Sequence, residues 1–428
     1  MKAGSEKKLF TPTMFLIMLC WLVYTCSYLG KLGYNANITQ IKTAYGIEED
    51  ATVGSVSTFF FFAYGVGQVI NGLFCTKYNL RYVVFGGLLV SGTMNLLVAV
   101  VGNFQVLKYL WLINGAALSV LWPCLIRFLA ENLEEKDIRR AVLVMGTTVA
   151  TGTICVYGLS AIFVAMGVYK MMFFVAGFLL PSISVIWFFA NPKLSKMNRA
   201  AKESTQPEIA QTAQTEQIEK PAKSQQKSTG KLGALWWPIV ILAVFSVFDN
   251  LIKDGLTTWM PAILKNDYNL PDEISMLLTI VLPILAMFGT LVVTNLHKKI
   301  SDFVMLCCVL FFVSAICVGL VMISNSVYIT LAAFGLVACL MAGVNNVVTG
   351  MAPLYWKEKI SSGLLAGILN GFCYLGSTLS AYGLGLVRDL SGGWGAVFGL
   401  LFILCVVAVV IAAVYGTIHY CKSKKNVR

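Results

Sequence analysis

Apolar runs of 18 or more residues recur along nearly the whole chain, and a run of that length reads as a helix crossing a bilayer. Twelve can be placed, at roughly 13–34, 52–74, 82–101, 106–130, 141–167, 171–190, 236–262, 274–297, 303–323, 327–354, 361–387 and 395–420. Six precede a polar segment, residues 191–235, and six follow it. The expectation is an all-α polytopic membrane protein. Residues 1–190 form one six-helix half, 191–235 a cytoplasmic linker, and 236–428 a second half related to the first by pseudosymmetry. Composition agrees: 12% of the residues are charged, against about 25% in soluble domains.

The formal net charge of +12 needs no nucleic-acid partner. Of the 32 Lys and Arg, 25 fall in segments on the side of the N-terminus and five on the other; Lys31 and Lys253 lie inside spans. That asymmetry predicts both termini in the cytoplasm, in a multi-pass protein of the plasma membrane. Residues 1–13 are polar and basic, with Lys2, Lys7 and Lys8. The apolar run after them is longer than a signal-peptide core and carries Lys31, which predicts a retained first span. The linker is rich in Lys, Gln, Thr, Ser and Ala, and its centre reads as disordered or loosely helical.

Lys31 and Lys253 are the sharpest feature. Each sits near the end of an apolar run in the pattern L-x-K-x-G, and they stand 222 positions apart (253 minus 31), about half of 428 residues. A lysine at membrane depth costs about 2.5–3.5 kcal/mol on insertion scales. One alone could snorkel to a headgroup. Two at equivalent places predict a shared polar cavity that binds an anion. Weaker echoes pair Ala63-Tyr64-Gly65 with Ala286-Met287-Phe288-Gly289, and Pro123 with Pro353.

Helical spacing puts Tyr28, Lys31 and Asn35 on one face of the first span, and Asp249, Lys253 and Thr257 on one face of the seventh. Asp249 and Asp254 are the carboxylates placed within spans. Asp249, four residues before Lys253, is set for an ion pair. It either neutralises Lys253 or exchanges a proton as substrate binds. Tyr64, Gln68, Trp122, Thr147, Thr148, Thr151, Asn345, Asn346, Asn370 and Tyr374 are further polar groups within spans, lining a cavity or joining helices.

Other chemistry finds little support. The 12 Cys lie mostly in apolar spans and form no CxxC pair, and the two His stand near span ends, so no metal or cofactor is expected. No Walker-type loop is present for ATP. No nucleophile–base constellation marks an enzyme. Asn37-Ile38-Thr39 fits the glycosylation sequon but adjoins a span.

With these residues laid out, the chain resembles the organophosphate:phosphate antiporters of the major facilitator superfamily. The resemblance rests on Tyr28 to Gly33 (YLGKLG), Ala63 to Gly72 with Asn79 and Arg81, Leu121-Trp122-Pro123-Cys124, Lys253 to Pro261 (KDGLTTWMP), Tyr374 to Ser377 and Gly393-Trp394. It implies the major facilitator fold, with Lys31 and Lys253 jointly holding a substrate phosphate among Tyr28, Tyr64, Trp122 and Tyr374. The family usually has Arg where this chain has Lys31, and a planar fork becomes a point charge. A cavity lysine of the glycerol-phosphate type is Gln68 here, the fifth-span His falls near Ala150 or Thr151, the tenth-span Tyr near Ala342, and the acidic loop residue is Thr76.

The resemblance implies a monomer that moves a small organic anion by alternating access. A phosphorylated sugar or polyol exchanged for inorganic phosphate leads. A carboxylate such as a sugar acid, moved with protons, is the alternative. A membrane sensor that binds a phosphorylated metabolite with little flux is the rival from another class.

Overall fold

The computed structural model describes residues 12–74, 77–204, 236–356, 360 and 362–426. Among these residues the long helices are α1 (Pro12–Ala36), α2 (Asp50–Phe74), α3 (Leu80–Val100), α4 (Phe104–Asn132), α5 (Leu143–Ala165) and α6 (Met171–Ser204). After the linker come α7 (Trp236–Tyr268), α8 (Asp272–His297), α9 (Phe303–Ile323), α10 (Val327–Tyr355), α11 (Ser362–Ser391) and α12 (Trp394–Asn426). Eleven of the twelve are long and apolar enough by themselves to cross a membrane. The helix outside that set is α7, which carries Asp249, Lys253 and Asp254 in its interior. It packs against α1, α10 and α11, inside the bundle.

Local sequence sets where the helices begin. Asn79 and Asn103 each cap a helix by accepting from the backbone N–H two residues on, and Asp302 caps α9 through Met305 N–H at 2.9 Å. The two prolines matched in the sequence mark local breaks. Pro123 has no N–H for the carbonyl of Ser119, and α4 is interrupted between Leu118 and Leu121. Pro353 stands in the same relation to Thr349, and α10 widens into a π-helical turn over Val347–Met351.

The backbone carries the pseudosymmetry. Among the described residues, positive φ occurs at Gly46, Gly167, Asn269 and Gly392. These are the turns α1–α2, α5–α6, α7–α8 and α11–α12, so each turn of one half is repeated six helices later, and all four share one end of the bundle. The left-handed conformation that stops a helix there favours Gly, and Asn tolerates it. Packing repeats too: α3 lies on α6 as α9 lies on α12, and across the halves α2 meets α11 as α8 meets α5.

The polar segment differs from expectation at its start. The helix of α6 continues to Ser204, through Lys193, Lys196 and Arg199. The change of composition after residue 190 marks departure from apolar surroundings, while Leu, Lys, Met, Arg and Ala keep the helix going. The disordered or loosely helical centre expected for the linker lies outside the described residues. At that end Arg81 ties α3 to α6: its Nε donates to Phe188 O at 2.8 Å and its guanidinium lies 3.8 Å from the Phe188 ring centroid. Asn37, the sequon asparagine, is fully buried and donates to Gly33 O and Ser160 Oγ, which leaves it no access to a glycan.

Candidate functional site between the halves

Lys31 is half-buried on α1, and its ammonium lies among three aromatic faces. Nζ is 4.3 Å from the ring centroid of Tyr64, 5.2 Å from Tyr28 and 5.5 Å from Tyr374. The rings come from α2, α1 and α11, so both halves build the cage. Tyr64 and Tyr374 touch across the interface at 4.8 Å between centroids. Each cation–π contact is worth about 0.5–2 kcal/mol, more as water is excluded. Tyr24, unmarked in the sequence reading, extends the cluster: it is 5.7 Å from Tyr28 and 4.8 Å from Trp122 on α4. Tyr28 and Trp122 thus belong to one aromatic wall.

Lys253 is half-buried on α7 and donates to Asn250 Oδ1 at 3.1 Å. Asn250 Nδ2 donates in turn to Asp249 Oδ2 at 3.1 Å. The direct Asp249–Lys253 pair expected from the spacing is replaced by an amide standing between the two charges. Asp249 is fully buried, and its Oδ1 has no hydrogen-bond partner. Asp254 accepts from Ser377 Oγ of α11 at 2.5 Å. None of the ion pairs among the described residues involves Lys31 or Lys253.

One helix therefore serves both lysines. Tyr374 and Ser377 are one turn apart on α11; the first offers its ring to Lys31 and the second its hydroxyl to the carboxylate next to Lys253. Asn370 lies a turn away from Tyr374 and is half-buried; Gln68 lies a turn beyond Tyr64 on α2 and is buried. Asn346 is half-buried where the π turn of α10 begins, and its neighbour Asn345 donates to Cys373 Sγ at 3.5 Å. Asn35 is placed differently. Its amide bridges the halves, donating to Thr258 Oγ1 on α7 at 2.7 Å and accepting from Ser57 Oγ on α2 at 2.9 Å. Thr147 accepts from Trp21 Nε1 at 2.9 Å, a helix-joining contact.

Beyond Asn35 the halves are latched. Asp389 of α11 accepts from the backbone N–H groups of Asp50 and Ala51, at 3.0 and 2.7 Å, and so caps the start of α2 from the opposite half. Asp50 is ion-paired with Lys42 and, at 3.0 Å, with Arg388 Nε. Thr58 Oγ1 donates to Thr378 O and accepts from Tyr382 N–H, both at 3.1 Å. Tyr157 donates to Thr257 O at 2.5 Å. A cavity of about 200 Å³ remains there, lined in part by Lys42, Asp50, Trp259, Lys265 and Arg388.

Two six-helix halves, joined tightly at one end, with Lys31 at the seam between them and Lys253 on α7 of the second half, define a multi-pass membrane protein. The chain belongs to the Major Facilitator Superfamily, whose sequence profile matches residues 20–381. That superfamily is one of transporters, not of enzymes. A bacterial homologue of the human lysosomal transporter Spinster, solved inward-facing and occupied, superposes with a TM-score of 0.66 over 96% of each chain at 12% identity, a likeness of fold. Among curated proteins, the membrane sensor protein UhpC of Escherichia coli is 27% identical over 100 residues, 23% of each chain. The glucose-6-phosphate exchanger SLC37A2 of Xenopus laevis is 23% identical over 41% of this chain and 40% of its own length. These two matches span less than half of the relatives' length. A probable hexose phosphate transport protein of Chlamydia pneumoniae is 20% identical over 82% of this chain and 80% of its own.

Proposed function

We propose that this protein exchanges a small organic anion, a phosphorylated sugar or polyol, for inorganic phosphate, with Lys31 and Lys253 as a clamp formed by one lysine from each half. The observation that carries the reading is the state of Lys31: a half-buried ammonium at the interface, held by neutral ring faces and free of any carboxylate among the described residues. A cation placed in that way is stabilised yet still able to take an anion. The similarity to hexose-phosphate carriers supports phosphate as the negative group.

Substrate bound by both lysines draws the halves together, and the clamped state reopens on the other side. With the basic loops in the cytoplasm of a plasma-membrane monomer, the latched end faces outward. On this reading Gln68, Asn346 and Asn370 recognise the substrate's polar groups, Tyr28, Tyr64, Trp122 and Tyr374 its carbon skeleton, and Asn35 the closing of the outer end.

Proteoliposomes loaded with inorganic phosphate test this. Uptake of hexose phosphate, dependent on internal phosphate and lost in Lys31→Ala and Lys253→Ala at normal expression, is the expected result. Wild-type rates in either variant refute the clamp. Two observations keep other readings in the same assay. The buried Asp249 carboxylate favours proton-coupled uptake of a carboxylate, which a pH gradient would drive. The similarity to a membrane sensor favours binding without counterflow.

A further inference from the structure

Lys253 is flanked in sequence by Asp249 and Asp254, either of which could neutralise it. Each carboxylate has one oxygen engaged elsewhere: Asp249 Oδ2 by the Asn250 amide at 3.1 Å and Asp254 Oδ2 by the Ser377 hydroxyl at 2.5 Å. The ammonium is left with a neutral acceptor, Asn250 Oδ1. Asn250 is held in place from behind, since its Nδ2 also reaches Ser246 O at 3.3 Å, and it is 5% exposed.

We propose that Asn250 and Ser377 are positioning residues that hold the two carboxylates of α7 off Lys253 and so keep its ammonium available to an anion. This rests on the reading of Lys253 as half of the anion clamp. The chemistry follows from what each acceptor does to an ammonium. A hydrogen bond to a neutral amide contributes less than one to a carboxylate, by roughly a factor of two. Asp249 stands at i−4, the favourable order for an Asp–Lys pair on a helix. An incoming anion would have to compete with a carboxylate tethered to the same helix. With the amide in between, it displaces one neutral contact. Ser377 does the same for Asp254 from α11, the helix that also brings Tyr374 to Lys31, so one rigid element prepares both cations.

The test has two arms on the full-length protein. The first is independent of the substrate: reductive methylation of Lys253, followed by mass spectrometry at a single pH and normalised to Lys265. Asn250→Ala and Ser377→Ala are expected to slow Lys253 labelling about tenfold, because a directly paired ammonium is held protonated. Asp249→Asn added to Asn250→Ala is expected to restore it. Unchanged labelling in both single variants, or a double variant as slow as Asn250→Ala, overturns the proposal; Ser377→Ala stands as an independent probe should Asn250→Ala fail to fold. The second arm measures half-saturation of counterflow by inorganic phosphate. Asn250→Ala is expected to raise it about tenfold with little change in maximal rate, and the double variant to return toward wild type. If labelling behaves as expected while Lys253→Ala leaves phosphate counterflow intact, the insulation stands and the clamp reading falls.

Discussion

At the scale of single residues, the aromatic cage makes a separable claim. What holds Lys31 is the face of the Tyr64 ring, 4.3 Å away, and not its hydroxyl. Tyr64→Phe keeps that face and is expected to leave half-saturation within about twofold of wild type. Tyr64→Leu removes it, and a loss of about 0.5–2 kcal/mol corresponds to a rise of roughly 2- to 30-fold, measured in the proteoliposome assay. Equal effects of Phe and Leu would transfer the role to the hydroxyl. Asp249→Asn is expected to be milder than either lysine substitution, because the carboxylate meets Lys253 through Asn250 alone; complete loss of uptake would make Asp249 the proton carrier.

The same scale shows what a sequence discloses about a site. Lys31 and Lys253 stood out because charge within an apolar run is rare, and Tyr28 because it shares the face of Lys31. Asn250 and Ser377 did not. Each is an ordinary polar residue until rotamers and neighbouring helices decide whether it donates to a carboxylate, to a carbonyl or to water. Asn35 illustrates the converse: its spacing assigns it to the face of Lys31, yet its amide is taken up between Ser57 and Thr258. Tyr24 carries one sequence signal, its i, i+4 spacing to Tyr28, but its contact with Trp122 on another helix leaves none.

At the scale of helices, α2 and α11 form the main contact between the halves, and it depends on a missing side chain. A Cβ built on Gly65 would stand 2.6 Å from Tyr374 Cβ, closer than carbon atoms approach. Gly65→Val is therefore expected to force α2 and α11 apart beside the Lys31 cage. Uptake should fall at least tenfold while the protein still folds, since each half keeps its own packing; size-exclusion and thermal unfolding profiles near wild type, with low flux, would check this. Wild-type flux would mean that the crossing is looser than the backbone indicates. Gly65 was visible in the sequence as part of an echo, but its reason was not, because close approach is a property of two helices. Eleven of the twelve helices, by contrast, follow from apolar length alone. α7 is the exception: Asp249, Lys253 and Asp254 in its interior leave it outside the set that is apolar enough to cross alone.

At the scale of the whole molecule, the two ends are unlike, and under the proposed exchange function that asymmetry would order the transport cycle. The hydrogen bonds that cross between the halves cluster at the end marked by the four positive-φ turns, where Asp389 caps α2 and Arg388 pairs with Asp50. A helix start is a natural seat for a carboxylate, because its free N–H groups and the helix dipole both favour negative charge. Here that seat belongs to one half and the carboxylate to the other, so opening this end uncovers two donors and one anion together. Hydrogen bonds to charged groups contribute about 1.5–3 kcal/mol each. Asp389→Ala is accordingly expected to shift the balance toward opening at this end by about 10- to 100-fold. Spin labels at Thr43 and Asn266, which both line the cavity beneath the latch, report it directly by pulsed dipolar spectroscopy. The wild type should give a short distance, and Asp389→Ala a second, longer population that grows at the expense of the first. Asp389→Asn keeps acceptor oxygen but not charge and should fall between them. A single short distance in all three proteins would place the free energy of closure in the apolar packing of α2 on α11 instead of in the polar latch.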